Sequence, residues 1–593
     1  MHRFKQINNR WQSWLDGARL RLARPDALIQ LAVLGLMTGL LAGGVIVLFR
    51  LFVEGTQDWM LPGEGAENFE ALPGWARLVL PLAAAVLLAL MFRWFGGGIV
   101  MLGVARVMER MAYHQGRCTP RAFLLQFFGA AIAIIGGHSV GREGPHIFLG
   151  ASSGSLLGQA FALPNNVTRT LVGCGTAAGI AASFNTPLAG VVFALEVVMM
   201  EYSVASFIPV ILAAVSATTL SNQVFGDHPA FIVPSMQNAS VTELGLVLML
   251  ALLAGACAAA FVHSVQGVGR RAKPLALHWR MLLAGLLMGG CAILVPQVMG
   301  IGYDTVGLAL NGSIGIGLLL LLLAGKMLAT SLCIGLGVPG GMIGPVLFIG
   351  AMLGALVAEI GTGLGFDAAN PVGFFALVGM GAMMSASLQA PLAALTAMLE
   401  LTDQPEVILP GMLAVVIAGI TSKEVFGKDS LFVSMLRANG LDYAASPIHQ
   451  ALRRIGVASI MQRAFVRVDR EIDVARAKAV LEANPVYLLV DAADGQLAMP
   501  AADLSRHLAT LEGERQEDGR ADAEAHTKID LLAIPAQRLQ LETIELQANL
   551  QEAWTLFENS AAEALIVRRM TAPGIYRYYG ILTPEMLEKS YRP

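Results

Sequence analysis

Along most of this chain apolar residues do not alternate with polar ones; they run together. Leu31–Phe49, Leu244–Val262 and Met281–Val298 each hold 18 or 19 residues without a charge, close to the roughly 20 that a helix needs to cross a bilayer. Other apolar segments, 145–163, 171–184, 187–200 and 391–401, are shorter and punctuated by glycine and proline. Broken helices are costly in lipid unless their ends line a protein-enclosed cavity. Paired interruptions in two halves of a chain point to a transporter's binding site. Near residue 446 the pattern changes to one with frequent Arg, Asp and Glu. The expected fold class is an all-α multi-pass membrane protein with broken helices and inverted halves, about 30–222 and 240–425. A small α/β soluble domain follows. The domains are drawn at 1–28, 29–435 and 446–593.

Composition agrees with the pattern. The 593 residues are 55% hydrophobic and 14% charged, against about 25% charged in an ordinary soluble domain. A net charge of −3 gives no reason to expect a nucleic-acid partner. The five cysteines are scattered without metal-ligand spacing, and no metal is expected. Residues 1–28 mix Arg, Lys and Asp with Trp11 and Trp14. They read as an amphipathic helix on the membrane surface rather than a signal peptide. Arg10, Arg19, Arg21 and Arg24 before the first span place that end in the cytoplasm. The expected location is a bacterial inner membrane, with both termini cytoplasmic.

One phrase is written twice. GREGPHIFLGA (141–151) returns as GMIGPVLFIGA (341–351), and 172–196 matches 378–400, with Gly173/Gly379, Pro187/Pro391 and Glu196/Glu400 in correspondence. A Gly-x-x-Gly-Pro turn opening an apolar helix presents unpaired backbone N–H groups, and the helix dipole makes them attractive to an anion. Two such turns from inverted halves can cradle one anion at the midplane. The copies differ at Arg142–Glu143 against Met342–Ile343. A carboxylate deep in a membrane domain marks a functional site by default. Glu143 can occupy the anion's place and leave when protonated; Arg142 adds positive potential or pairs with it. His138 and His146 flank the motif and either tune Glu143 or are hydrogen-bonded core residues. Lys326 reads as structural, snorkelling or paired.

These segments (GREGP at 141–145, AASFNTPLAGVVFALE at 181–196 and GVPGGMIGP at 337–345) resemble the CLC chloride channel and transporter family. The resemblance implies a homodimer in the bilayer with one pathway for inorganic anions per subunit, chloride as the transported ion, and Glu143 as the gate. It implies anion binding near Gly141, Arg142, Gly144, Gly341, Met342 and Ile343. Two positions where the family carries hydroxyls are here Leu102 and Phe432, which implies a drier central site. The position of the antiporters' second glutamate is Val197, a lost proton relay. Glu196 before it reads as a helix-end partner. The expectation is therefore a voltage-gated-type chloride channel conducting passively. A chloride/proton or fluoride/proton antiporter is the alternative.

In the tail, 456–504 and 538–588 read as two copies of one unit, similar to a CBS-domain pair. GILTPE carries Thr583 and Glu585 where that resemblance implies ribose contacts, so adenine nucleotide is the one ligand the tail raises; otherwise no cofactor is expected. Residues 512–526 read as a disordered insert. An intramembrane enzyme is the competing class. Between 122 and 195 the only charges are Arg142, Glu143 and Arg169. A single carboxylate is poor equipment for catalysis, so no enzyme is expected.

Overall fold

The computed structural model describes residues 22, 27–63, 67–99, 101–201, 204–227, 231, 233, 236–366, 369–402, 404–441, 452–492, 495–518 and 528–591. The chain forms two compact units: Leu28–Phe161 with Thr168–Ala444, and Met1–Ala27 with Ala162–Val167 and Ala445–Pro593. The expected N-terminal surface helix lies almost wholly outside the described residues.

The first unit is helical. Its first half holds α1 (Leu28–Met60), α2 (Gly74–Phe95), α3 (Gly103–Tyr113), α4 (Pro120–Ile135), α5 (Glu143–Ala160), α6 (Asn165–Phe184), α7 (Pro187–Phe193) and α8 (Val204–Phe225). Its second half repeats that order: α9 (Val241–Ala272), α10 (Leu277–Leu294), α11 (Tyr303–Leu310), α12 (Ile316–Gly335), α13 (Ile343–Gly363), α14 (Val372–Leu388), α15 (Pro391–Thr402) and α16 (Ile408–Ile420). A last short helix, α17 (Leu431–Ala438), follows. Among the described residues 8 helices are long and apolar enough to cross a membrane. The short helices start where the sequence breaks. Pro120 opens α4 behind a Thr119 cap, and Pro187 and Pro391 open α7 and α15, positions where a missing N–H costs nothing. Glycine sets the helix spacing in both halves. A Cβ on Gly150 of α5 would lie 2.1 Å from the Gly175 carbonyl of α6, and one on Gly350 of α13 would lie 2.4 Å from that of Gly379 in α14.

The halves also exchange caps. The Glu196 carboxylate accepts from the Leu392 and Ala393 N–H groups (3.2 and 2.8 Å) at the start of α15. Glu400 accepts from Leu188 and Ala189 (2.9 and 2.7 Å) at the start of α7. Each glutamate neutralises the positive end of the other half's helix, as a helix-end partner does. A charge-assisted bond contributes roughly 1.5–3 kcal/mol. Glu400→Gln should therefore lower the thermal unfolding midpoint by several degrees in detergent; an unchanged midpoint would show that the exchange is idle.

In the second unit, β1 (Phe465–Val468), β3 (Tyr487–Ala492) and β4 (Gly495–Pro500) share a sheet with β6 (Leu539–Glu545), β7 (Ala564–Ala572) and β8 (Ile575–Leu582). β2 (Glu471–Asp473) pairs separately with β5 (Lys528–Asp530). β1 runs parallel to β3 and β3 antiparallel to β4; β6, β7 and β8 repeat this pairing. One expectation fails. Residues 512–518 are not an insert: helix α19 (Ala501–Asp518), which follows α18 (Val474–Glu482), continues through them. Lys478 of α18 pairs with Glu512 at 2.7 Å, and Leu504 and Leu508 anchor the helix in the core. Residues 519–526 lie outside the described residues.

Candidate functional site

The two copies of the repeated phrase meet. Gly141 N–H donates to the Gly341 carbonyl at 2.8 Å and Gly341 N–H returns the bond at 2.7 Å, an antiparallel bridge at the junction of the halves. Two residues on, α5 and α13 begin. Glu143 is the first residue of α5 and is fully buried. Its Oε2 accepts from the Gly344 N–H at 3.0 Å, at the start of α13. Its Oε1 accepts from the Tyr303 hydroxyl, at the start of α11. The carboxylate of the first copy thus sits on the amide of the second, where an anion would bind. Glycine is required beside it, because a Cβ on Gly141 would fall 2.2 Å from Oε2. Gly141→Ala should displace the carboxylate and cut proton movement at least about ten-fold; wild-type proton flux in that variant would contradict this geometry.

The two chain neighbours of Glu143 line two different cavities, Gly144 the first and Arg142 the second. The first, about 150 Å³, is lined by Leu102, Gly144, Gly341, Met342 and Phe432, with Lys273 and Arg280 as its basic groups. The two positions without hydroxyls therefore share one wall. Phe432 packs edge-on against Phe193, ring centres 6.5 Å apart. The second cavity, about 190 Å³, is bounded by Arg142, Tyr303, Ile301 and the acidic Glu54, Glu67 and Asp304.

Several sequence expectations change. Arg142 does not pair with Glu143; its Nη1 donates to Glu54 at 2.8 Å and its guanidinium lies 5.6 Å over the Tyr303 ring, on the second-cavity side. Ile343 heads α13 and is buried, and it lines a separate apolar pocket with Phe184 and Leu347. His146 is hydrogen-bonded in the core, Nδ1 to Ser183 Oγ at 2.8 Å. Lys326 is fully buried and does not snorkel. Val197 is buried in a π-helical turn, Ala194–Met199, that extends α7. In the other unit, Thr583 joins β8 to α21 (Pro584–Tyr591), the last helix after α20 (Leu550–Asn559), and Glu585 is exposed in its first turn. Tyr303, Glu67, Glu54, Arg280 and Lys273 were not anticipated. The one sequence signal for Tyr303 is its position in GIGYD, since a buried tyrosine hydroxyl must find a partner.

The sequence model of the voltage gated chloride channel family matches residues 83–423. A ClcB-like chloride channel protein of Ralstonia nicotianae is 34% identical over 431 residues, 70% of this chain and 99% of that protein. The H(+)/Cl(−) exchange transporter ClcA of Vibrio cholerae is 30% identical over 426 residues, 68% of this chain and 88% of the transporter. The crystal structure of a slow cyanobacterial Cl−/H+ antiporter superposes with a TM-score of 0.61 at 23% identity, covering 69% of this chain and 97% of the antiporter. The passive-channel expectation is overturned by the exchange-transporter relative. Its physical weakness was that it rested on a missing group: a valine at 197 removes one carboxylate but leaves Glu143 able to take a proton. By the family match and the extent of these identities, the chain belongs to the voltage-gated chloride channel (CLC) family.

Proposed function

We propose that this chain is an anion/proton antiporter that exchanges chloride for protons across a bacterial inner membrane, as a homodimer with cytoplasmic termini. One observation carries the reading: Glu143 rests on the Gly344 amide and the Tyr303 hydroxyl, its chain neighbours lining two different cavities. Ionised, it holds those donors. Protonated, it loses the charge-assisted part of both bonds, and an anion takes its place at the helix start. Anion and proton thus alternate on one site. The first cavity, with Lys273 and Arg280, is the cytoplasmic anion entrance in this reading, and the second opens outside. The named exchange function of the Vibrio relative supports the same assignment.

The tail serves as a dimerising CBS-like pair. Its repeated β-α-β-β-α order supports this, and adenine nucleotide would bind beside Thr583 and Glu585.

The test is reconstitution in liposomes with a steep chloride gradient and no pH gradient. Chloride efflux is expected to drive protons inward, leaving the lumen acidic. Chloride movement without proton movement would reject the exchanger. The cavity wall makes a second prediction. Leu102→Ser with Phe432→Tyr adds two hydroxyl donors, each contributing about 0.5–1.5 kcal/mol. Calorimetry should show chloride binding tightened by about ten-fold; unchanged affinity would place the anion elsewhere.

A further inference from the structure

The second cavity is more than a vestibule. Glu143 does not line it; Tyr303 and Arg142 close it off from the gate. A proton arriving from that side must pass this floor. The Tyr303 hydroxyl is the group that bridges it, lining the cavity on one side and donating to Glu143 on the other. Glu67, in the connection between α1 and α2, lines the same cavity. Its Oε2 accepts from the Gly302 N–H at 3.3 Å, one residue before Tyr303. Its backbone is held at φ 77°, a left-handed conformation that is strained for glutamate and concentrates at functional positions.

We propose that Glu67 is the outer proton acceptor of the exchange cycle. It takes a proton from the outer solution and passes it, through water in the cavity and the Tyr303 hydroxyl, to Glu143. This rests on the antiporter reading above. The cavity has room for several waters. The balance is simple: the Glu67 carboxyl gives up its proton, Tyr303 donates its own and receives one, and the Glu143 carboxylate becomes a carboxylic acid.

The groups facing Glu67 account for its suitability. Arg142 comes from the turn before α5, Asp304 and Tyr303 from α11, Lys326 from α12, and Arg50 and Glu54 from α1. Of the acids in this cavity, Glu54 is held by Arg50 at 3.1 Å and Arg142 at 2.8 Å, whereas Glu67, whose backbone bond ties it to the residue before Tyr303, has only that bond on its carboxylate among the described contacts. Burial raises the Glu67 carboxyl to about 7, against the pull of Arg142 and with the help of Asp304. A carboxyl so placed is protonated in mild acid and ionised above neutrality, the range in which an acceptor can both load and release.

The experiment uses the full chain in oriented liposomes, with proton and chloride flux measured as external pH is varied. Wild type is expected to show an external inflection near pH 7. Glu67→Gln should lose that inflection and slow proton flux by about ten-fold or more. Glu67→Asp should restore it in part, which a purely structural role would not do. Chloride binding by calorimetry identifies folded variants. Tyr303→Phe, which keeps the ring, should slow protons as Glu67→Gln does. A folded Glu67→Gln with wild-type proton flux and an unchanged profile overturns the proposal. Absence of proton coupling in wild type itself would instead reject the antiporter reading.

Discussion

Glu143→Gln should reduce proton movement to background while chloride still flows. The side chain keeps its size and loses its charge. In wild type the carboxylate accepts from the Gly344 N–H and the Tyr303 hydroxyl, each bond to a charged group contributing roughly 1.5–3 kcal/mol. Glutamine offers one acceptor oxygen, and its NH₂ end faces a donor. Losing about 3 kcal/mol of hold makes the anion's access to the amide easier by about a hundred-fold, and no titratable group is left on the site. Chloride flux should therefore become independent of pH. Parallel dye and chloride-electrode recordings read both ions at once, and retained proton flux in this variant would remove Glu143 from the exchange cycle.

The second large effect is on folding. Lys326→Met should sharply reduce the folded protein. Lys326 is completely buried in α12. Its Nζ donates to the carbonyls of Val298, Gly300 and Ile301 at 3.2, 2.9 and 3.0 Å and lies 4.8 Å over the Phe348 ring. Each carbonyl left unpaired inside the protein costs about 1–3 kcal/mol. Three such losses approach the whole of a protein's typical 5–15 kcal/mol margin. The strand of chain they pin, 298–301, leads directly into Gly302 and Tyr303, so surviving molecules should also misplace the Glu143 donor. Size-exclusion profiles and thermal midpoints read the first effect. A monodisperse Lys326→Met protein with the wild-type midpoint would show that these bonds do not hold the segment.

Most of the architecture was legible because it is local. Proline and glycine mark where helices break, and the duplicated phrase announces two halves. The partners of the site were not, because they come from far along the chain. Arg142 meets Glu54 across 88 positions and Glu143 meets Tyr303 across 160; no periodicity or spacing encodes such a meeting. The Glu196/Glu400 correspondence was visible in the repeat, but their exchange of caps follows from the inverted packing of α7 against α15. The passive-channel reading inferred a mechanism from one absent carboxylate at Val197, whereas exchange requires only that a proton reach Glu143. Residues 512–518 looked like a solvated insert on charge alone, yet they extend a helix anchored by the leucines before them.

The central claim is that anion and proton share Glu143's place, so that neither moves freely without the other. The most direct measurement is the reversal potential of chloride flux in liposomes, held at fixed chloride gradient while the pH gradient is changed. An exchanger's reversal potential shifts with the pH gradient, and that shift is the predicted result. A reversal potential that stays at the chloride equilibrium value whatever the pH gradient would contradict it.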